Sequence, residues 1–292
     1  MEGVRRLCPA KVNLFLRVLA RRPDGYHELV TVMQPLSLAD ELTVTSGGPG
    51  LTLTCDHPEL PRGEDNLVWR AARLFQEATG RKLGVHLTLV KRIPVAAGLG
   101  GGSSDAAGAL LALNELAGTP LSAAGLHRLA CRLGADVPFF LQAGPAVARG
   151  IGDRLTPLAL PPYWYLLLNP GVPLSTRWVY GNLDLSRLLA GPETEAWDPE
   201  HPEKWVRNDL ETVALKRFPE LRDFAEQMKR LGARASGISG SGPTVFGLFP
   251  SPERAREAAR KVRRTFPGWL AVARGLTGQE PPTVWEKDVW MI

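Results

Sequence analysis

Residues 98–104 read Gly98-Leu99-Gly100-Gly101-Gly102-Ser103-Ser104 and run directly into Asp105-Ala106-Ala107-Gly108-Ala109-Leu110-Leu111. No other stretch limits the fold as tightly. Glycines let backbone N–H groups turn toward a ligand with no Cβ in the way. A helix that starts inside such a loop adds its unsatisfied N–H groups and the positive end of its dipole. The combination is a cradle for an anion, and phosphate is the usual occupant.

The kind of glycine loop follows from the residues around it. A P-loop places a lysine directly before the Ser or Thr, and Gly102 holds that place here. Read as a dinucleotide fingerprint, the loop puts Ser103 at the third glycine and has no acid ending a strand about twenty residues on. The His-Arg-Asp and Asp-Phe-Gly tripeptides of protein kinases are absent. A plain glycine-rich turn before a buried helix is the bland alternative, and so long a motif disfavours it. The stretch resembles the nucleotide loop of the GHMP kinases, whose pattern is Pro-x-x-x-Gly-Leu-Gly-Ser/Gly-Gly-Ser-Ser.

With 292 residues the chain can form one large domain or two ordinary ones. Two is the expectation. A hydrophobic share of 44% and a charged share of 22% are those of a soluble protein. No apolar run approaches the roughly eighteen residues of a membrane span. The net charge of +5 comes from arginines scattered through the chain, with no basic stripe interleaved with aromatics, so nucleic acid is not the expected partner. Cys8, Cys55 and Cys131 are far apart and lie in no zinc-type spacing, which fits reduced thiols. Motif-bearing sequence already begins at Pro9, leaving no room for a leader peptide, so the expected location is the cytoplasm.

Along the chain, apolar alternation predicts strands over 12–18 and 28–34, joined by the turn signal Arg22-Pro23-Asp24-Gly25. Short strands are expected over 41–45 and 51–54, a helix over 66–78 closed by Gly80, and a strand over 85–90 that feeds the glycine loop. The helix after the loop runs to about Ala117, and Ser122 caps another that ends at Gly134. Beyond Pro161-Pro162 the pattern predicts a strand over 163–168 and a helix opened by Ser175 or Thr176. A long loop or disordered insertion over 191–203 and helices over 209–216 and 219–231 follow. A second glycine-serine loop, 235–243, leads into a strand over 244–249, followed by a helix over 252–265 and a strand over 269–273. The tail from Gly278 matches no element, and no internal repeat is visible.

Three more stretches resemble one GHMP branch, the 4-diphosphocytidyl-2-C-methyl-D-erythritol kinases. They are Pro9-Ala10-Lys11-Val12-Asn13 with Asp24-Gly25-Tyr26-His27, then Gly134-Ala135-Asp136-Val137-Pro138, then the loop 237–242. Lys11 is the candidate stabiliser, since a fixed ammonium favours both a developing alkoxide and the charge on a transferring phosphoryl group. Asp136, between a helix end and Pro138, is the candidate base for the hydroxyl proton.

The resemblance implies that His27 reads a cytosine edge and that Tyr26 and Tyr180 sandwich the ring. Asn13, Thr176 and Gly240 then hold the rest of the substrate. It assigns ATP to Pro94, Val95, Ala96, Ala97, Gly98, Leu99, Gly100, Gly101, Gly102, Ser103 and Ser104, with Asn66, Leu67 and Lys91 at the adenine. Ser104 is the candidate oxygen ligand for Mg²⁺. The loop 239–242 makes a second anion nest.

The fold so implied is α+β in two domains: a ribosomal-S5-like N-terminal domain over 1–160 and a ferredoxin-like α/β C-terminal domain over 161–277. Residues 278–292 form a tail of unknown role. The implied enzyme is a phosphotransferase that uses ATP and Mg²⁺ to phosphorylate the 2-hydroxyl of a cytidine-diphosphate-linked methylerythritol in isoprenoid synthesis. It is expected to act as a monomer or weak homodimer on a small molecule, without membrane or nucleic acid. A mevalonate or homoserine kinase, which lacks the Asp-Gly-Tyr-His stretch, and a regulator that binds nucleotide without catalysis are the alternatives. The chain departs from some members at Gly181, where they carry a lysine.

Overall fold

The computed structural model describes residues 3–82, 84–188, 197–278 and 289–291. Two compact units divide it, each discontinuous in sequence. The first comprises Met1–Ala10, Ala39–Val95 and Gly100–Ala143, the second Lys11–Leu38, Ala96–Leu99 and Gly144–Ile292. Two long strands, β1 (Gly3–Arg21) and β2 (His27–Ser46), contribute residues to both units. They are joined by the expected turn, in which the Arg22 N–H donates to the Tyr26 carbonyl at 2.8 Å and Gly25 takes φ +87°. The stretch 41–45, expected as a separate strand, is the far end of β2. Nothing interrupts the buried run from Leu29 to Asp40, and Pro35 is accommodated inside it.

In the first unit β3 (Leu51–Cys55), α1 (Leu67–Thr79), β4 (Val85–Val90), α2 (Gly101–Leu116) and α3 (Ala123–Leu133) follow in order. β4 lies antiparallel to β2, with Glu41 opposite Val90, and parallel to β3, with Leu51 opposite Val85. Asn66 caps α1 by accepting the Val68 N–H, and Gly80 ends that helix at φ +67°. Ser122 caps α3 through the Gly125 N–H. The core joins Leu42, Phe75, Leu87, Leu110 and Leu129. α2 carries Ala106, Ala107, Ala109 and Ala112 with no exposure, so it packs closely on all sides. At Gly108 an added Cβ would lie 2.5 Å from the Cys8 sulfur.

In the second unit β5 (Ala146–Gly150) pairs antiparallel with β2 and with β6 (Arg154–Pro157). After β7 (Trp164–Asn169) come α4 (Thr176–Gly181), β8 (Arg207–Asn208), α5 (Glu211–Arg217), α6 (Glu220–Arg230), β9 (Ala235–Ile238), β10 (Val245–Phe249), α7 (Pro252–Arg263), β11 (Trp269–Arg274) and β12 (Val289–Met291). A sheet of order β12-β11-β7-β10-β9, antiparallel throughout, carries α6 and α7. Its core includes Leu166, Leu168, Met228, Phe249, Val262 and Val272. β8 is parallel to β1, with Phe15 opposite Arg207.

The tail supplies the edge strand β12, and Arg260 sits 5.4 Å over the Trp290 ring. Of the loop expected over 191–203, only 197–203 lies within the described residues; there Trp197 packs edge-on against Phe15 at 4.8 Å. Among the described residues no helix is long and apolar enough to cross a membrane.

Candidate active site

Lys11 sits in β1 with 3% exposure, where the strand brings its side chain against the first glycine loop. Its ammonium donates to the Gly98 carbonyl at 2.9 Å and to Asn13 Oδ1 at 2.5 Å, and its backbone N–H donates to the Leu99 carbonyl. Lys11 and Asn13 are two apart on a strand, hence on one face. Asn13 Nδ2 in turn donates to Thr31 Oγ1, whose hydroxyl donates to the Phe15 carbonyl. Each buried polar atom named here has a partner, which fixes the ammonium in place.

The second glycine loop closes on the same atoms. Ser239 Oγ donates to the Gly98 carbonyl at 2.9 Å and accepts the Asn13 N–H at 3.1 Å. The Thr244 N–H donates to the Ala97 carbonyl. Gly98 has φ +76°, and a Cβ there would lie 2.2 Å from the Ser239 carbonyl oxygen, so only glycine fits. At Gly240 a Cβ would meet Asn13 Oδ1 at 3.0 Å and Lys11 Nζ at 3.4 Å. Asn208 shapes the loop from below: its amide donates to the carbonyls of Ile238 and Gly240 while Oδ1 accepts the Leu210 N–H.

Of the residues assigned to the substrate, His27 and Tyr180 come together, with ring centroids 5.1 Å apart and planes inclined by 32°. Tyr26, next to His27 in sequence, is 57% exposed. Partial burial, and then the Arg21 charge, hold the His27 imidazole below its ordinary pKa. The exposed Thr176 shares a hydrogen bond with Ser241 Oγ at 2.9 Å. Gly181, the departure from the pattern, is the exposed last residue of α4.

In the first unit the loop becomes α2. Gly100 is its N-cap at φ +73°, and the helix proper begins at Gly101. Gly102 faces Leu67, whose Cδ1 would lie 3.6 Å from a Cβ at that position. Asn66 spends its side chain on the α1 cap and on the Pro61 carbonyl. Ser104 Oγ is buried and has no hydrogen-bond partner among the described residues. Asp136 lies half-buried in the turn between α3 and the 3-10 helix Pro138–Leu141.

Lys91 does not reach outward. Its ammonium donates to Asp105 Oδ2 at 2.7 Å and to Asp40 Oδ2. Burial alone would lower the Lys91 pKa, but the charges and hydrogen bonds of Asp105 and Asp40 outweigh it and hold the value above the ordinary lysine range. Asp105 is pushed well above the usual carboxylate range, first by burial and then by Asp40.

Sequence reasoning missed Asp40, Asp105 and Asn208. Asp40 left a trace, since a charge in an otherwise apolar strand needs a buried partner. Asp105 directly follows the two serines of the loop, where an acid in the opening turns of a helix is a cap signal as easily as a network member. Asn208 left none. Among the described residues no group of three or more His, Cys, Asp or Glu side chains is placed to hold a metal.

Residues 66–144 match the GHMP kinases N terminal domain, and residues 195–268 match the GHMP kinases C terminal domain. The chain is 43% identical over 280 residues to a 4-diphosphocytidyl-2-C-methyl-D-erythritol kinase of Geobacter metallireducens, covering 94% of this chain and all of that one. It is 46% identical over 270 residues to the kinase of the same name from Syntrophus aciditrophicus, covering 91% and 96% of the two chains. A crystal structure of a 4-(cytidine 5'-diphospho)-2C-methyl-D-erythritol kinase superposes with a TM-score of 0.81 at 44% identity over 93% of this chain and 99% of the other. A homoserine kinase from Cytophaga hutchinsonii shares the fold, with a TM-score of 0.75 at 19% identity over 100% and 98% of the chains.

Proposed function

We infer the reaction from the family: this chain belongs to the 4-diphosphocytidyl-2-C-methyl-D-erythritol kinase branch of the GHMP kinases. It is a phosphotransferase with an alcohol acceptor. It moves the γ-phosphate of ATP to the 2-hydroxyl of 4-diphosphocytidyl-2-C-methyl-D-erythritol in the non-mevalonate isoprenoid pathway. The observation that carries this is identity above 40% across nearly the whole of both chains.

The roles of single residues are our proposal. The amides of residues 98–104 grip the phosphates of ATP, with Pro94, Val95, Ala96 and Ala97 leading in. Leu67, with the backbone around Asn66 and Lys91, walls the adenine. Lys11 stabilises the charge that develops as the alcohol attacks, and Asp136 takes the hydroxyl proton. The buried position of Lys11 and its charge-assisted hydrogen bonds to Gly98 and Asn13 support that role, because a preorganised donor costs no reorientation at the moment of transfer. His27 and Tyr180 receive the cytosine, with Tyr26 as the exposed second face, and Asn13, Thr176 and Gly240 hold the remainder.

Ser104 suits Mg²⁺: its hydroxyl is buried, has no hydrogen-bond partner among the described residues and is an oxygen donor of the kind that ion takes. When bound, the ion neutralises phosphate charge and takes most of its shell from phosphate and water. We place the enzyme in the cytoplasm, acting as a monomer or weak homodimer, with family domains over 1–160 and 161–277, bounds that differ from those of the compact units because β1 and β2 contribute to both.

The test is ADP release with the cytidine-linked alcohol beside mevalonate and homoserine as acceptors, together with competition by free cytidine diphosphate. Turnover confined to the cytidine-linked acceptor, and inhibition by cytidine diphosphate, are expected. Turnover of homoserine or mevalonate at a comparable rate would overturn the substrate assignment.

A further inference from the structure

The strand that enters the first glycine loop and the helix that leaves it are tied to a single buried ammonium. Asp40, fully buried in β2, accepts the N–H groups of Arg92 and Ile93 on Oδ1 at 2.6 and 2.9 Å. Those are the two residues immediately before Pro94 at the loop's entrance. Its other oxygen accepts from Lys91 Nζ. Lys91 Nζ donates at 2.7 Å to Asp105 Oδ2, and Asp105 lies just past the first turn of α2 with 2% exposure. Gly101, the first residue of that helix, rests directly on this assembly. A Cβ there would stand 3.1 Å from Ile93 Cγ2 and 3.3 Å from Asp40 Oδ2.

We propose that Asp105 is a positioning residue for the nucleotide: through Lys91 and Asp40 it fixes the first turn of α2 to the end of β4, so that the amides of residues 101–104 meet the phosphates in one register. The inference rests on reading this loop as the ATP site. Stability alone gives weak grounds for such a cluster, since apolar side chains of similar volume often serve a core as well as buried charges do. What the cluster supplies is alignment. A loop without the P-loop lysine depends on the direction of its amides to hold a triphosphate, and misplacing a reacting group by about 1 Å can cost about a hundredfold in rate. The lysine cannot swing away without releasing the carboxylates on both sides of the loop at once.

The experiment compares Asp105→Leu, Asp105→Ala and Asp105→Asn in the full chain, all of which leave the Lys91 and Asp40 pair balanced. Leucine keeps the volume, alanine leaves space, and asparagine keeps an acceptor oxygen for the ammonium. If alignment is the role, the leucine and alanine variants raise KM for ATP by about tenfold, KM for the alcohol stays within about twofold, and asparagine restores most of the loss. A KM for ATP equal to the parent's in whichever of the leucine and alanine variants folds would overturn the proposal. So would an equal rise for both substrates, or a fall in Tm with unchanged kinetic constants. Failure of the reading it rests on would show differently, as a parent chain that does not turn over ATP.

Discussion

The ammonium of Lys11 and the hydroxyl of Ser239 donate to one acceptor, the carbonyl oxygen of Gly98, each at 2.9 Å. A carbonyl has two lone pairs, and here both are engaged. The Lys11 ammonium is therefore held by the backbone of one glycine loop and steadied by a side chain of the other. Replacing it separates chemistry from binding, because the Ser239 bond to Gly98 survives. Lys11→Met, and likewise Asp136→Asn, are expected to lower turnover by at least about a hundredfold while ATP still raises the Tm. Near-normal ADP release by either variant would remove that residue from the mechanism.

Ser239→Ala deletes the donor to Gly98 and leaves the buried Asn13 N–H without its acceptor. A loss of about 1–3 kcal/mol in urea unfolding is expected, with kcat reduced more than KM for ATP is raised. Gly98→Ala is harsher. Its Cβ meets backbone rather than a movable side chain, at a φ that side chains rarely adopt, so a loss of at least about 3 kcal/mol or no folded protein is the expected outcome. A folded Gly98→Ala protein with the parent's Tm would show that the two loops do not meet as described.

Ser104→Ala tests the proposed ion. The hydroxyl is buried without a partner among the described residues, so removing it should leave the Tm unchanged or slightly higher. The Mg²⁺ concentration for half-maximal turnover should rise severalfold. If the Tm falls and the Mg²⁺ titration does not move, Ser104 is a structural serine.

His27 sets an expectation on pH. Its pKa is held below the ordinary value of 6.5, by partial burial first and by the Arg21 charge second. At neutral pH the ring therefore keeps one donor and one acceptor nitrogen, as hydrogen bonding to both kinds of group on a base edge requires. Because the folded state favours the neutral ring, its contribution to stability is intact above the ordinary value and is lost as pH falls through the depressed one. KM for the cytidine substrate should stay flat down through the ordinary histidine pKa and rise only as the pH falls through the depressed one, with KM for ATP indifferent. His27→Asn should abolish that pH dependence. Parallel pH profiles for both substrates in the parent would argue against a role for His27 in base recognition.

Much of the chain was legible because its signals are local. Asn66, Ser122 and Ser175 each cap the helix that follows them, and Gly80 ends α1, as their side chains or their absence dictate. The glycine loop and the strand feeding it were read from adjacent residues. What escaped was long-range pairing. Lys91 meets Asp40 across 51 positions and Ser239 meets Gly98 across 141, and no spacing rule connects such residues. The expectation of a separate strand over 41–45 missed that β2 runs on through Pro35, whose carbonyl, within the second unit, accepts the Leu276 N–H at 2.8 Å. Val289–Met291 could not be read as a strand, since its pairing depends on an exposed edge of β11 that only the assembled sheet provides.

Asn208 carries a consequence for which residues its position tolerates. Its amide offers hydrogens to two carbonyls at 2.8 and 2.7 Å, so hydrolysis to aspartate would set a carboxylate oxygen against two other oxygens in a buried place. An aspartate here would repel the turn that the amide now supports. An Asn208→Asp protein should therefore unfold at a lower temperature and turn over more slowly than the parent.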